Sequence, residues 1–355
     1  MTQELVLKII GMVLVTFTSS VILIPFMKKV AFKVNAVDVP GGRHIHKKTT
    51  PKLGGIAIFF SFLLGYMFFG THSSIMNAVL IGSFIIILLG VFDDIVELGP
   101  LAQFVGQLIA ASILVFYGGL LIKEISVSAF GIYIDFKIFA YPLTIFFILG
   151  CINCINLIDG LDGLSGGISS IYYLTVGIIA LIQDKTGLDF VLAFTMLGAT
   201  LGFLVYNFNP ASIFAGDAGS NFMGFMIAVI ALLGFKNVTM TSFIIPLIIL
   251  AIPILDTLFA IIRRFLKHQP LFKGDKYHIH HQLLNRNFSV KQTVFIIYII
   301  DVLFAIASII YIIQDGIIVY IVYAILLVLV LLIVLKTNIV FDKEYIKQRR
   351  KNKKS

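Results

Sequence analysis

Several apolar runs in this chain exceed about 18 residues, the length a helix needs to cross a bilayer. That feature limits the fold more than any other, because inside lipid only helices and closed barrels satisfy their own backbone groups. Eleven spans are read, at 5–27, 53–70, 75–92, 101–121, 138–158, 166–183, 188–206, 218–234, 241–262, 293–313 and 317–335. The mean hydropathy of +1.03 and a charged fraction of only 13% agree with this, since a soluble domain carries about 25% charged residues. The first span is too long for a signal-peptide core and has no convincing small-residue cleavage site, so it is kept as an anchor. The expectation is an all-α polytopic membrane protein: a single bundle over 1–335, then a basic tail at 336–355.

Lys and Arg orient such a bundle. With the N-terminus outside, 22 of the 27 basic residues fall in inner segments and the tail, which puts the C-terminus in the cytoplasm. The exceptions are Lys8, Lys123, Lys137, Lys185 and Lys236. The net charge of +9 is then mostly topology, and no nucleic acid is called for. The same orientation gathers Asp38, Asp93, Asp94, Asp159, Asp162, Asp217 and His278, His280 and His281 on the inner side. Their loops span 38–52, 93–100, 153–167, 207–220 and 266–292. The outer side offers short turns and one alternating stretch, "KEISVSAFGIYIDFK", that reads as a small β-hairpin.

Five stretches carry the chemistry. In "GVFDDIVELGP", Asp93 and Asp94 end a span. Adjacent carboxylates at a low-dielectric boundary repel, which a metal or a proton relieves; two solvated acids in a turn are the plain alternative. In "CINCINLIDGLDGLSGG", Asn153, Asn156, Asp159 and Asp162 recur every third position. Each step drifts about 60° around a helix, so the four cannot share one narrow face. The glycines that follow indicate a helix giving way to a polar floor. Cys151 and Cys154 form a CxxC inside an apolar span, where packing is the simpler role. In "YNFNPASIFAGDAGSNF", Asp217 stands either as a helix N-cap or as a metal ligand, and Phe214 as a stacking or a packing ring.

"FKGDKYHIHHQLLNRN" holds an HxHH cluster with no acid or cysteine at familiar zinc spacing, so its mixed donors suit a diphosphate better. "DVPGGRHIHKKTTPKLGG" is a shaped, basic loop containing Arg43, His44, His46, Lys47, Lys48 and Lys52. Inner acids ringed by basic donors point to phosphoryl or diphosphate chemistry with a metal. A transporter is the competing class, but it would place ionisable groups near the bilayer midplane. Asp256 and Asp301 are the exceptions that leave it open.

On "DVPGGRHIH…P..GG", "FDD", "NCINLIDGLDG", "FAGDAGS" and "HIHH", in that order, the chain resembles the polyprenyl-phosphate N-acetylhexosamine-1-phosphate transferase family, glycosyltransferase family 4. The resemblance implies an eleven-span bundle in the bacterial cytoplasmic membrane, Mg2+ (or Mn2+) as cofactor, and a UDP-sugar and undecaprenyl phosphate as substrates. A homodimer is left open. The His run points to the branch that transfers N-acetylglucosamine-1-phosphate to start a teichoic-acid or O-antigen type polysaccharide. The branch that makes the muropeptide lipid of peptidoglycan ranks second.

Carried over by position, Asp93 and Asp94 deprotonate and place the lipid phosphate, and Asp159 supports the centre. Asn156 and Asp217 hold Mg2+. Gly160, Leu161, Asp162, Asn207 and Phe214 form the uridine pocket. Asn153, Arg43, His46, Lys48, His278, His280 and His281 complete the substrate contacts. Gln103 stands where a Lys is expected and Lys276 where an Arg often precedes the histidines. The first departure weakens the grip on the lipid phosphate unless Lys52 or Lys48 supplies the missing charge.

Overall fold

A computed structural model describes residues 2–39, 49–127, 132–235, 249–266, 278–314 and 317–336. The chain divides into two compact units, residues 1–247 and 248–355.

In the first unit, α1 (Gln3–Lys33), α2 (Gly54–Phe69), α3 (Ser74–Val96), α4 (Pro100–Ser112), α5 (Ala140–Ile158), α6 (Leu164–Ile182), α7 (Leu188–Asn207) and α8 (Gly216–Phe235) form a helical bundle. Each begins or ends where the local chemistry changes. Ser73 caps α3 by accepting the Met76 amide at 3.1 Å. Pro100 opens α4 at a position where a missing N–H costs nothing. The last turn of α4 widens into a π-helical segment, Ile113–Tyr117.

The bundle is organised around α8, which is buried at every residue from Ala218 to Leu232. It packs on α2, α3, α5, α6 and α7. Small residues set the closest crossings. A Cβ on Gly55 would strike the Gly219 backbone, and one on Gly90 would strike Ala218. Lipid provides no hydrophobic drive between helices, so close backbone approach is what holds such a joint. α1 is the opposite case, with Leu7, Ile10, Leu14, Ile22 and Phe26 exposed on its outer side.

Two short strand pairs accompany the helices. β1 (Val37–Asp38) pairs antiparallel with β2 (Thr50–Pro51), which ties the two ends of the first loop together. β3 (Glu124–Val127) pairs antiparallel with β4 (Ile132–Asp135), in register Glu124↔Asp135 to Val127↔Ile132.

In the second unit, α9 (Ala251–Leu266), α10 (Ile279–Leu284), α11 (Val290–Ile313) and α12 (Ile317–Lys336) follow one another. A capping box of Ser289 and Gln292 starts α11. The Tyr311 and Tyr320 hydroxyls meet at 3.1 Å between α11 and α12. Where a span was expected at 241–262, residues 241–248 lie outside the described residues. The helix seen is Ala251–Leu266, which carries buried Asp256, Arg263 and Arg264 among its apolar residues.

Among the described residues, eight helices are long and apolar enough to cross a membrane, and Gly54–Phe69 and Tyr320–Leu332 are shorter apolar helices. The protein is an all-α polytopic membrane protein.

Candidate active site

The site grows from the joint between the end of α3 and the start of α8. Asp93 and Asp94 lie in the last turn of α3, and both are buried. Asp94 turns toward α8, where its two oxygens accept the amides of Asp217 (3.0 Å) and Ala218 (3.3 Å). The first amides of a helix have no partner inside it and carry partial positive charge, so a carboxylate from a neighbouring helix suits them. Asp94 is thereby the cap of α8, the task that the sequence left open for Asp217.

Asp93 is fastened differently. One of its oxygens accepts the Leu98 amide at 2.6 Å. Its carboxyl also lies within hydrogen-bonding reach of Asp217. Asp217 is freed from capping and projects from the first turn of α8, where its Oδ1 accepts the Asn156 amide nitrogen at 2.5 Å. The same Asn156 nitrogen donates to Ser220 Oγ at 3.0 Å.

The first loop closes the joint from one side. Phe214 N–H donates to the Pro51 carbonyl (2.8 Å), and Gly54 and Gly55 donate to the carbonyls of Phe214 (3.0 Å) and Ala215 (2.9 Å). Gly216 has φ of +69°, and a side chain there would meet the Lys52 carbonyl and the Asp94 carboxylate. Glycine is therefore required between Ala215 and Asp217. The result places the Lys52 ammonium where it acts on the charges of Asp94 and Asp217.

The floor is the short turn from α5 to α6. Asn153 and Asn156 are still helical, so the turn is residues 159–163, shorter than the loop expected over 153–167. Ser165 donates its hydroxyl to Asp159. Burial pushes the Asp159 carboxyl up to about 7; the Ser165 hydrogen bond opposes this, and Asp217 and Asp162 add to it. Asp162 Oδ2 accepts the Asn209 side chain (2.7 Å) and the Ala211 amide (2.9 Å). Asn207 accepts the Gly163 amide and donates to the Ile213 carbonyl, both at 2.9 Å. These two side chains fasten the 159–163 turn to the 207–215 loop. Gly160 is exposed on that floor, Leu161 is buried and Phe214 is half-buried.

Of the residues expected at the site, Asp93, Asp94, Asn156 and Asp217 meet directly, and Asp159 lies close enough to feel Asp217. Asn153 turns toward α4 and donates to Gln107 at 2.8 Å. Arg43, His46 and Lys48 lie outside the described residues. Gln107 and Ser220 were missed by the sequence reading. Gln107 lies one helical turn beyond Gln103, and Ser220 follows Asp217 by three, the spacing that makes helical neighbours; those spacings were the available signals.

The histidines form their own cluster in the second unit. His278 Nδ1 lies 2.9 Å from Asp256 Oδ2, and Asp256 Oδ1 accepts the Ile279 amide at 2.9 Å. The His278 and His280 rings are parallel with centroids 5.6 Å apart, and His280 and His281 are 4.3 Å apart. Burial holds His280 well below the usual imidazole range, and the charges of His281 and His278 add to that.

A family model described as glycosyl transferase family 4 matches residues 76–235, which run from α3 through α8 and so contain the whole acidic joint. A probable undecaprenyl-phosphate N-acetylglucosaminyl 1-phosphate transferase of Bacillus subtilis is 39% identical over 87% of this chain and 87% of its own length. The chain belongs to the polyprenyl-phosphate N-acetylglucosamine-1-phosphate transferase family. Other relatives in this family are a decaprenyl-phosphate N-acetylglucosaminephosphotransferase of Mycobacterium tuberculosis and an undecaprenyl-phosphate alpha-N-acetylglucosaminyl 1-phosphate transferase of Salmonella typhi. The first is 31% identical over 77% of this chain and 75% of its own. The second is 27% identical over 78% and 76%.

For a transferase of this family the donor set suits magnesium. Asp93, Asp217 and the Asn156 carbonyl offer oxygen, and Lys52 acts on the charges of Asp94 and Asp217. Among the described residues no three His, Cys, Asp or Glu side chains are arranged to hold a metal by themselves.

Proposed function

We propose that this transferase moves N-acetylglucosamine-1-phosphate from UDP-N-acetylglucosamine to undecaprenyl phosphate and releases UMP, forming the lipid-linked sugar diphosphate that begins a cell-envelope polysaccharide. The observation that carries it is the Asp93–Asp217–Asn156 contact beside the Asp94-capped start of α8, inside the segment that matches the family. The name of the Bacillus subtilis relative, a probable undecaprenyl-phosphate N-acetylglucosaminyl 1-phosphate transferase, supports the lipid acceptor and the transferred group, and the UDP donor is what the family resemblance implies.

In this reading a phosphate oxygen of undecaprenyl phosphate attacks the β-phosphorus of the UDP-sugar. The bond from that phosphorus to the bridging oxygen breaks, and UMP leaves with it. One diphosphate bond replaces another, so the reaction is readily reversible. The nucleophile is already on the substrate, which favours direct attack over an aspartyl intermediate. Asp94 is occupied with the α8 amides, so Asp93 is the acid left to accept the lipid phosphate's proton and place it. Asp217 and Asn156 would hold Mg2+, which when bound offsets charge on the diphosphate. Lys52 balances part of the negative charge at the joint. The floor from Gly160 to Asp162, with Asn207 and Phe214, receives the uridine, and the HxHH turn engages the diphosphate or sugar.

The same reading keeps eleven spans in one bundle over 1–335 with the N-terminus outside. It puts the acids on the cytoplasmic face and β3–β4 on the outer one, as the basic residues favour. The test is purified protein in detergent with undecaprenyl phosphate and a panel of UDP-sugars, following UMP. Release is expected with UDP-N-acetylglucosamine, and excess chelator is expected to abolish it. No UMP with any donor removes the transferase reading; full turnover in chelator removes the metal.

A further inference from the structure

Asp256 is the buried acid that the sequence could place only as an oddity inside an apolar span. Only 3% of it is exposed, and only 5% of His278. Its two oxygens bridge a turn: one meets His278 Nδ1 and the other accepts the Ile279 amide, each at 2.9 Å. Both bonds fix the imidazole. The Ile279 bond anchors the carboxylate to the backbone beside the histidine, so it cannot swing away from the ring.

A carboxylate accepts only, so Nδ1 carries the proton whether the ring is neutral or charged. The ring's other nitrogen, Nε2, is then the functional edge. It is a lone pair in the neutral ring and a donor in the imidazolium. The His280 ring lies parallel to it, with centroids 5.6 Å apart. His280 is itself 2% exposed, and among the described residues neither of its ring nitrogens has a hydrogen-bond partner. Buried polar atoms without partners are rare in folded proteins, and each calls for an explanation such as a ligand or water. Two adjacent imidazoles, one fastened at a single nitrogen and one not satisfied at all, describe a turn built to receive an anionic oxygen-rich group.

We infer that Asp256 is a positioning residue of the transferase: it holds His278 by Nδ1 so that Nε2 is presented to the diphosphate of the UDP-sugar. This rests on the proposed transferase activity and on the HxHH turn serving the nucleotide-sugar rather than the lipid. The plain alternative is that Asp256 and His278 are a buried pair that only fastens the start of α10.

The experiment measures kcat and both KM values, by UMP release, for wild type, Asp256→Asn, His278→Ala and the double variant. Asparagine keeps the shape and an acceptor for the Ile279 amide but not the charge. Outer partners of metal-ligating histidines contribute about 10–100-fold, and a fall on that order in kcat/KM for UDP-N-acetylglucosamine is expected here by analogy. The KM for undecaprenyl phosphate stays within about twofold. Groups that act through one another are not additive, so in the His278→Ala background the second change is expected to cost less than about twofold. Equal movement of both KM values, a full additive loss in the double variant, or wild-type kinetics for Asp256→Asn overturns the inference. If Asp256→Asn is not recovered as a monodisperse protein, Asp256→Glu carries the same cycle: a smaller loss confined to the UDP-sugar supports the inference, and an additive one overturns it. A wild-type protein that releases no UMP strikes the transferase reading itself, an outcome separate from the additivity of the cycle.

Discussion

At the start of α8 a carboxylate, Asp94, is held by two backbone amides, whereas before α10 a histidine, His278, is held by a carboxylate, Asp256. In both regions a buried acid makes two hydrogen bonds that fasten its neighbour, and the proposed substrate contacts fall to the group beside it. At the first, Asp94 takes over the capping of α8, and Asp217 points away from its own helix toward Asn156 and Asp93. At the second, Asp256 satisfies one edge of the ring and leaves the other. The number of acids near a site therefore overstates the number of groups that act on substrate.

The largest expected effects test that division inside the acidic joint. Asp217→Asn and Asp93→Asn should each cut turnover by about a hundred- to a thousandfold, the scale seen when one preorganised electrostatic contact of an active site is lost. Both should leave the melting temperature unchanged or higher, because each removes one of two opposed carboxylates. Asp94→Ala should also lower activity, but with a fall in thermal stability, since losing a cap costs about 0.5–2 kcal/mol. Thermal unfolding in detergent alongside the UMP assay separates them. If Asp94→Ala melts like wild type while Asp217→Asn melts lower, the two roles are exchanged.

The helices were legible because hydropathy alone marks a span, and the observed bounds differ from the read ones mainly where polar residues continue a helix. Asp93 and Asp94 are such a case, just past the span read at 75–92 and kept helical by α3 to Val96. The central acids were legible as chemistry but not as neighbours. Asp94 and Asp217 are 123 residues apart and Asn156 and Asp217 are 61 apart, and no local periodicity links them. Asp162 and Asn207 were read as pocket groups, while their visible bonds run to Asn209, Ala211, Gly163 and Ile213. Those partners are turn residues and backbone groups brought in by tertiary contact, which sequence spacing does not reveal. The Asp256–His278 bond is of the same kind, with its ends 22 positions apart.

Asp159 gives a smaller, pH-dependent effect on stability. Its carboxyl titrates near 7 in the fold against an ordinary 3.8, because burial disfavours its charge. The folded state binds this proton more tightly than the unfolded chain, so the stabilisation is complete below 3.8 and is lost as pH rises through about 7. Asp159→Asn removes the ionisable group and keeps an oxygen for the Ser165 hydroxyl. Its melting temperature relative to wild type should therefore rise between pH 5 and pH 8, by on the order of a few degrees. Below about pH 3 the gap should be flat, since both states are then protonated. The measurement is made in chelator without substrate. A gap that does not change with pH places the titrating carboxyl elsewhere.

The smallest effect concerns the cation at the acidic joint. Gln103 is half-buried on α4, one turn before Gln107, whose side chain receives Asn153. Lys52 already acts on Asp94 and Asp217 from the first loop. If the lipid phosphate docks beside Asp93, Lys52 supplies the charge-assisted bond that a Lys at 103 would otherwise make, and Gln103→Lys alone is expected to keep or modestly improve turnover through a lower KM for undecaprenyl phosphate. Charge-assisted hydrogen bonds are about twice as strong as neutral ones, so Lys52→Gln should lose on the order of 1–2 kcal/mol. That corresponds to about five- to thirtyfold in kcat/KM for the lipid. The informative variant combines them. Gln103→Lys in the Lys52→Gln background should recover part of that loss, with little change in the KM for the UDP-sugar, because a long ammonium can reach a phosphate from either side. Recovery makes the two positions alternative sources of one charge. Absence of recovery, with Lys52→Gln impaired, puts residue 103 on a face away from the phosphate and leaves the first loop as the sole origin of that cation.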